Sequence, residues 1–356
     1  MAASARAVLL ICPLVLNTLD FTRVVVAMQE SRRIAVVLFQ LGGPEKQSAV
    51  EPFLYNLFCD PDIINFPGAF LARKALAKLI STRRSKVVAQ HYAEIGGGSP
   101  IRRLTEVQGR SLELALRPHV SVRAVVAMRY WHPDTAEAIA ALESAPYDDL
   151  VLLPLYPHYS FATTGSSLKE WNRQFKPKAA VHLIDHFYDH PDYIAAIVDR
   201  MNNLLAVLPR PHEVHLVFSA HGLPMSIVEK GDPYPKQIDE TVKLVLELGA
   251  WPNPHALCYQ SRVGPQKWLE PSLPDMLTRL AGGGVKRVLV IPVSFLTEHI
   301  ETLHEINIEA REHADSLGIS DFHMMPALND SPLLIRALAD LVLRSVGMRA
   351  GVASFA

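Results

Sequence analysis

Cysteine is scarce in this chain, and what there is lies scattered. Cys12, Cys59 and Cys258 are the only three in 356 residues, with no C-x-x-C among them. That excludes a disulfide framework and any four-thiolate cluster built by one chain. A reducing compartment, the cytoplasm, is the expectation. Charge of one sign is lacking too: 35 Lys and Arg stand against 36 Asp and Glu. Without a global positive excess, no nucleic-acid partner is expected. Neither G-x-G-x-x-G nor G-x-x-x-x-G-K-[ST] occurs, so dinucleotide and nucleotide binding lose their usual phosphate loops.

The apolar run A-V-L-L-I-C-P-L-V-L, Ala7 to Leu16, has signal-peptide length, is too short to cross a bilayer and is broken by Pro13. Only Arg6 forms a positive n-region, and no clear A-x-A site follows. Met28, ahead of Q-E-S-R-R and a strand pattern, is an alternative start. Residues 1–27 are therefore read as a leader, unstructured or a mis-assigned start, and kept out of the fold.

What remains is ordinary globular chain, 49% hydrophobic and 20% charged, and long enough for two domains. From residue 34 onward, apolar β-branched runs (34–41, 120–129, 150–156, 181–187, 214–219, 256–260, 285–295, 322–328) alternate with amphipathic stretches such as 192–208, 236–248, 300–317 and 332–346. Continuous rather than alternating apolar strands, separated by helices, predict a parallel sheet covered on both faces. The class is α/β, doubly wound.

A weak internal repeat divides the strands four and four. V-V-L-F-Q-L-G-G-P (36–44) parallels L-V-F-S-A-H-G-L-P (216–224), and V-L-L-P-L-Y-P (151–157) parallels V-L-V-I-P-V-S (288–294). F-Y-D-H-P-D-Y-I-A-A-I-V-D-R (187–200) resembles A-L-N-D-S-P-L-L-I-R-A-L-A-D (327–340). Several pairs in one order predict two similar lobes, each a four-stranded parallel sheet flanked by helices, with a cleft between them. The expected division is an N-terminal lobe over 28–208, a C-terminal lobe over 209–330, and a helix over 331–347 packing on both.

His221 ends a buried strand and is followed at once by the turn residues Gly222 and Pro224. In open parallel sheets ligands bind beyond such strand ends. Position alone does not decide the matter, since most of the fifteen His in a chain like this serve turns or the core. Its company does. Glu298, His299 and Glu301 fall where the third strand of the second half passes into helix, and Glu298, Glu301, Glu305, Glu309 and Glu312 share one narrow arc of an α-helix. That acidic ridge lacks the Lys or Arg partners of a salt-bridged surface, apart from Arg311. An imidazole and a carboxylate on one rim suit metal capture by nitrogen and oxygen, or proton abstraction.

In the first half Arg129, Tyr130 and Trp131 end a strand, and Arg83, Arg84, Tyr92 and the turn I-G-G-G-S-P (95–100) lie on the preceding helices and loop. Basic, hydroxyl and aromatic groups beside a cleft suit a flat apolar ligand that bears carboxylates.

The residues resemble those of the ferrochelatases, which insert Fe(II) into a porphyrin. Nine blocks occur in family order: L-G-G-P (41–44), F-L-Y-N-L-F-C-D-P-D (53–62), I-G-G-G-S-P-I (95–101), R-Y-W-H-P (129–133), Y-P-H-Y-S-F-A-T-T-G-S-S (156–167), F-S-A-H-G-L-P (218–224), G-D-P-Y-P (231–235), Y-Q-S-R-V-G-P-Q-K-W-L (259–269) and H-I-E-T-L-H-E (299–305). The resemblance implies that His221 and Glu301 are the catalytic and metal-site residues, opposed across the cleft, and that Glu305 and Glu309 form an acidic path behind them. It implies porphyrin-wall roles for Leu41, Tyr92, Arg129, Tyr130 and Trp268, and propionate contacts for Arg84 and Ser99.

It also implies porphyrin and ferrous iron as partners, Fe(II) as substrate, and no tightly bound cofactor. No iron–sulfur cluster is expected, since no Cys follows Val346. Protoporphyrin IX is the expected substrate, with coproporphyrin III the alternative. A chelatase placing Co(II) or Ni(II) in another tetrapyrrole is a more distant reading, and a two-lobed periplasmic binding protein with 1–27 as its signal the most distant. The apolar stretch 63–71 suits a lip touching membrane or a core-packing helix equally. Monomer and homodimer both remain open.

Overall fold

The computed structural model describes residues 32–61, 69–262, 264 and 266–348. The leader over 1–27 and the 63–68 portion of the apolar lip lie outside the described residues. Within them, eight strands form two four-stranded parallel sheets. The first has the order β2-β1-β3-β4, with β1 Arg33–Gln40, β2 Ser121–Met128, β3 Asp149–Pro154 and β4 Ala180–Leu183. The second has the order β6-β5-β7-β8, with β5 His215–His221, β6 His255–Gln260, β7 Arg287–Pro292 and β8 Asp321–Met324. The two sheets share one topology, as the repeat predicts.

Strand periodicity explains the layering. Ile34, Val36 and Leu38 of β1 join Leu216, Phe218 and Ala220 of β5 in a core common to both sheets, which also takes in the helices Pro191–Leu205 and Pro332–Ser345. The alternate residues Ala35, Val37 and Phe39 face away into a separate core with Trp171, and Val217 does the same beside Val288 and Val290. Both faces of each central strand are thus buried, and at about 1.5–3 kcal/mol per large apolar side chain the shared core joins the lobes firmly. Polar ties cross it as well: Tyr193 donates to the carbonyl of Val293 at 2.9 Å, and Gln108 to that of Asn329 at 2.7 Å.

Several strands end sooner than their apolar runs. β4, β7 and β8 stop at Leu183, Pro292 and Met324, after which single bonds such as Ile184 N–H to Leu152 and Met325 N–H to Val290 carry the chain into loops. A larger departure concerns residues 300–317. Polarity predicts one α-helix there, but Glu301–Ala310 is a π-helix, passing into α-helix only at Arg311–Ser316. A five-residue π segment, Phe161–Gly165, stands at the matching place after β3. Among the described residues no helix is long and apolar enough to cross a membrane.

Candidate active site

The two side chains expected to be catalytic are placed by strand ends. His221 is the last residue of β5; its N–H donates to Ser294 Oγ at 3.0 Å, and its carbonyl accepts from the Tyr234 hydroxyl at 3.0 Å. With the backbone held on both sides, the ring lies with Nδ1 2.9 Å from Glu301 Oε2. Glu301 opens the π-helix after β7, the direct neighbour of β5 in the sheet. Both stand in the second lobe, as expected, but their expected opposition across the cleft is corrected: they are hydrogen-bonded partners. Adjacent parallel strands deliver their C-terminal loops side by side, which the linear order hides.

Burial disfavours the imidazolium, but the Glu301 carboxylate and its hydrogen bond outweigh this and raise the pKa of His221 above its ordinary value. Burial likewise works against the charge on Glu301, yet His221 and then His299 hold its carboxyl well below the usual carboxylate range. Glu301 is thus the acceptor and Nδ1 of His221 the donor, leaving the Nε2 lone pair for another proton or a metal. The His221 side chain keeps 38% of its surface open.

His299, to which the sequence assigns no role, stands beside Glu301. Its Nδ1 lies 2.9 Å from the Thr297 carbonyl and its Nε2 3.6 Å from Glu301 Oε2, and its ring packs on Phe295 with centroids 4.5 Å apart. Glu305, the next member of the row, is clasped by Ser261, whose N–H reaches Oε1 at 2.5 Å and whose hydroxyl reaches Oε2 at 2.6 Å. Burial and the neighbouring Glu301 charge push the Glu305 carboxyl up, against the pull of the Ser261 bonds.

The acidic ridge is shorter than predicted. Glu298 precedes the π-helix and is spent on structure, bonded to the Thr302 hydroxyl and accepting from the Ala327 N–H at 2.8 Å. Glu312 follows in α-helical geometry. Glu301, Glu305 and Glu309 remain, all within the π-helix. All three line one cleft with Leu41, Arg84, Tyr92 and Ser99. Phe53, Leu54, Leu57 and Val88 add its apolar wall. The phenol of Tyr92 is buried, and burial followed by the Glu301 charge drives its pKa far upward.

Arg129 and Tyr130 do not line that cleft. Both are bound to Asp60, Tyr130 through its hydroxyl at 2.7 Å and Arg129 through Nη2 at 2.5 Å, and they border a second depression with Trp131. Asp60 lies in a block that the resemblance quotes, but nothing in its polarity marked it as the anchor. Trp268, expected in the porphyrin wall, does not line that cleft either; it packs against the turn after His221, where a Cβ on Gly222 would meet its ring at 3.2 Å. His91, His304 and Glu94, which carry no sequence signal of a site, meet at the cleft rim.

Two facing, doubly wound lobes with a His–Glu pair and an acidic row at strand ends define a chelatase-type protein. The family model for ferrochelatase matches residues 33–346. A ferrochelatase of Geotalea uraniireducens is 49% identical over 88% of this chain and 98% of its own. One of a Picosynechococcus strain is 48% identical over 88% of this chain and 83% of its own. Among solved structures, SirB from Bacillus subtilis with Fe3+ superposes with a TM-score of 0.51 at 12% identity, covering 88% of this chain and 95% of that one, a likeness of fold. The chain belongs to the ferrochelatase family. It is a lyase of haem biosynthesis that inserts iron into a porphyrin.

Proposed function

We propose that the porphyrin is protoporphyrin IX and that His221 is the base that accepts its pyrrole protons. Each Fe(II) that enters replaces two N–H protons, so a group beside the ring must take protons while the metal arrives. The observation that carries the reading is the 2.9 Å contact of His221 Nδ1 with Glu301. It turns the imidazole to the tautomer with an open Nε2 and raises its basicity, both of which a proton acceptor needs.

Glu301 supplies the compensating charge, and the row through Glu305 to Glu309 offers carboxylate oxygens by which iron approaches and protons leave. Leu41 faces the macrocycle from the other lobe. The apolar walls hold the ring so that binding energy is spent bending it, turning pyrrole lone pairs toward one face.

The substrate choice is supported by the lining. Among the described residues, the cleft presents one guanidinium, Arg84, and one Ser hydroxyl, Ser99, against several apolar side chains. Two propionates suit that lining better than four. Scattered cysteines favour the cytoplasm as the place of action. Anaerobic incubation with Fe(II) and each porphyrin, followed by loss of free-porphyrin fluorescence, tests the reading. A kcat/KM at least tenfold higher for protoporphyrin IX is expected; preference for coproporphyrin III overturns it.

A further inference from the structure

At the cleft rim, the helix Ala69–Glu94 and the π-helix bring together a cluster that the reaction above leaves largely unused. His91 and His304 stack, ring centroids 4.1 Å apart and planes 16° from parallel. Glu309 Oε1 lies 3.5 Å from His304 Nδ1 and 3.9 Å from His91 Nε2. All three atoms fall within 4.8 Å of one another. These separations are too long for strong hydrogen bonds. They approach the edges of a tetrahedron around one cation, where ligand bonds of about 2.1 Å put neighbouring donors about 3.4 Å apart.

A second feature points the same way. Glu94 Oε2 lies 2.8 Å from His304 Nε2, and the His304 side chain is only 4% exposed. The Glu94 carboxylate accepts a hydrogen bond from Nε2–H, which leaves the Nδ1 lone pair on the side of Glu309. A carboxylate behind an imidazole is how metal-bound histidines are held in one tautomer. His304 is thus fixed, whereas the His91 side chain is 32% exposed, and the site requires its ring to turn about χ2. Two stacked rings cannot both aim in-plane lone pairs at one ion.

We propose that His91 Nε2, His304 Nδ1 and Glu309 form a second divalent-cation site, with Glu94 as the positioning residue. Two imidazole nitrogens and a carboxylate select Fe(II), Co(II) or Zn(II) over Mg(II) and Ca(II), which take oxygen ligands. The site stands at the outer end of the row that leads to Glu301. A role in handing iron inward rests on the reaction proposed above; the binding itself does not.

The test uses the full chain in a His221→Ala background, which disables the inner pair, with Co(II) as probe and excess Mg(II) present. One equivalent of Co(II), with the visible bands of a four- or five-coordinate ion, is expected. Adding His91→Ala weakens binding at least tenfold and changes the bands. Because His91 sits at the rim, far-UV circular dichroism should be unaltered. Unchanged affinity and spectrum in His91→Ala, or displacement of Co(II) by Mg(II), overturns the site. Two equivalents retained in His221→Ala would instead count against the inner pair, and His91→Ala still decides the outer one.

Discussion

Leu41 and His221 occupy the same station in the two lobes. Phe39 pairs with Ala127 on one side and Pro154 on the other, as Ser219 pairs with Cys258 and Pro292; two residues on stand Leu41 and His221. Each is followed by a glycine whose Cβ would strike a neighbour, Trp131 at Gly42 and the Gln260 carbonyl at Gly222. Matching stations thus carry an apolar side chain in the first lobe and an imidazole in the second.

Replacing the imidazole separates chemistry from binding. In His221→Ala, kcat falls by about 10²-fold or more, since general-base catalysis is worth about 10²–10⁴-fold. Porphyrin affinity, set by the walls, changes little. Fluorescence titration and anaerobic iron insertion measure the two; turnover near the parent rate refutes the role of His221.

The pH dependence has a definite sign. His221 holds its proton to a higher pH than an ordinary imidazole, because the Glu301 charge outweighs burial. A base must be unprotonated, so kcat/KM falls as pH drops through that raised pKa. In Glu301→Gln the burial penalty is left nearly unopposed, so the acid limb shifts to lower pH while the plateau falls. The raised pKa also stabilises the folded chain below the unfolded value near 6.5 and loses that effect as pH rises through the folded value. A pH–rate profile with an unmoved acid limb in Glu301→Gln contradicts this.

The fold was legible in the chain because buried parallel strands write themselves as unbroken β-branched runs, and β1, β3, β5 and β7 are buried over nearly their whole length. His221 was legible for the same reason, as a polar residue closing such a run. The contact with Glu301 was not, because strand order within a sheet leaves no local trace. Nor was the π-helix: Glu301, Glu305 and Glu309 show the same spacing in either helix, and only backbone geometry drops Glu298 and Glu312 from the row. Arg129 reads like a ligand-facing cation from composition alone, and only the distant Asp60 reveals its internal pairing.

Arg84 separates binding from turnover in the opposite way. Its guanidinium lines the cleft and lies 5.7 Å from the centre of the Phe58 ring, so it stands ready for a carboxylate at the rim. Arg84→Ala should raise KM for porphyrin about tenfold, the worth of one charge-assisted bond of about 1.5 kcal/mol. kcat should stay within about twofold. A fall in kcat at constant KM assigns Arg84 to the chemical step instead.

The turn I-G-G-G-S-P is built from glycines with different duties. Gly96 and Gly97 have φ of 103° and 95°, with open space where a Cβ would stand. Gly98 has no such φ, but its Cβ would lie 2.2 Å from the backbone oxygen of Glu45. There the Ser99 N–H bonds the Pro44 carbonyl at 2.7 Å, drawing the loop after β1 against the turn and setting Ser99 in the cleft wall. Gly98→Ala must force two backbones apart, costing about 1–3 kcal/mol or more. Because the strain displaces Ser99 and the segment next to Leu41, porphyrin affinity should fall together with Tm. Gly96→Ala, strained only in its own backbone, should lower Tm by a smaller amount and leave porphyrin affinity intact. Thermal unfolding and porphyrin titration of both variants check the ordering; equal losses of affinity show that the close approach at Gly98 does not set the cleft wall.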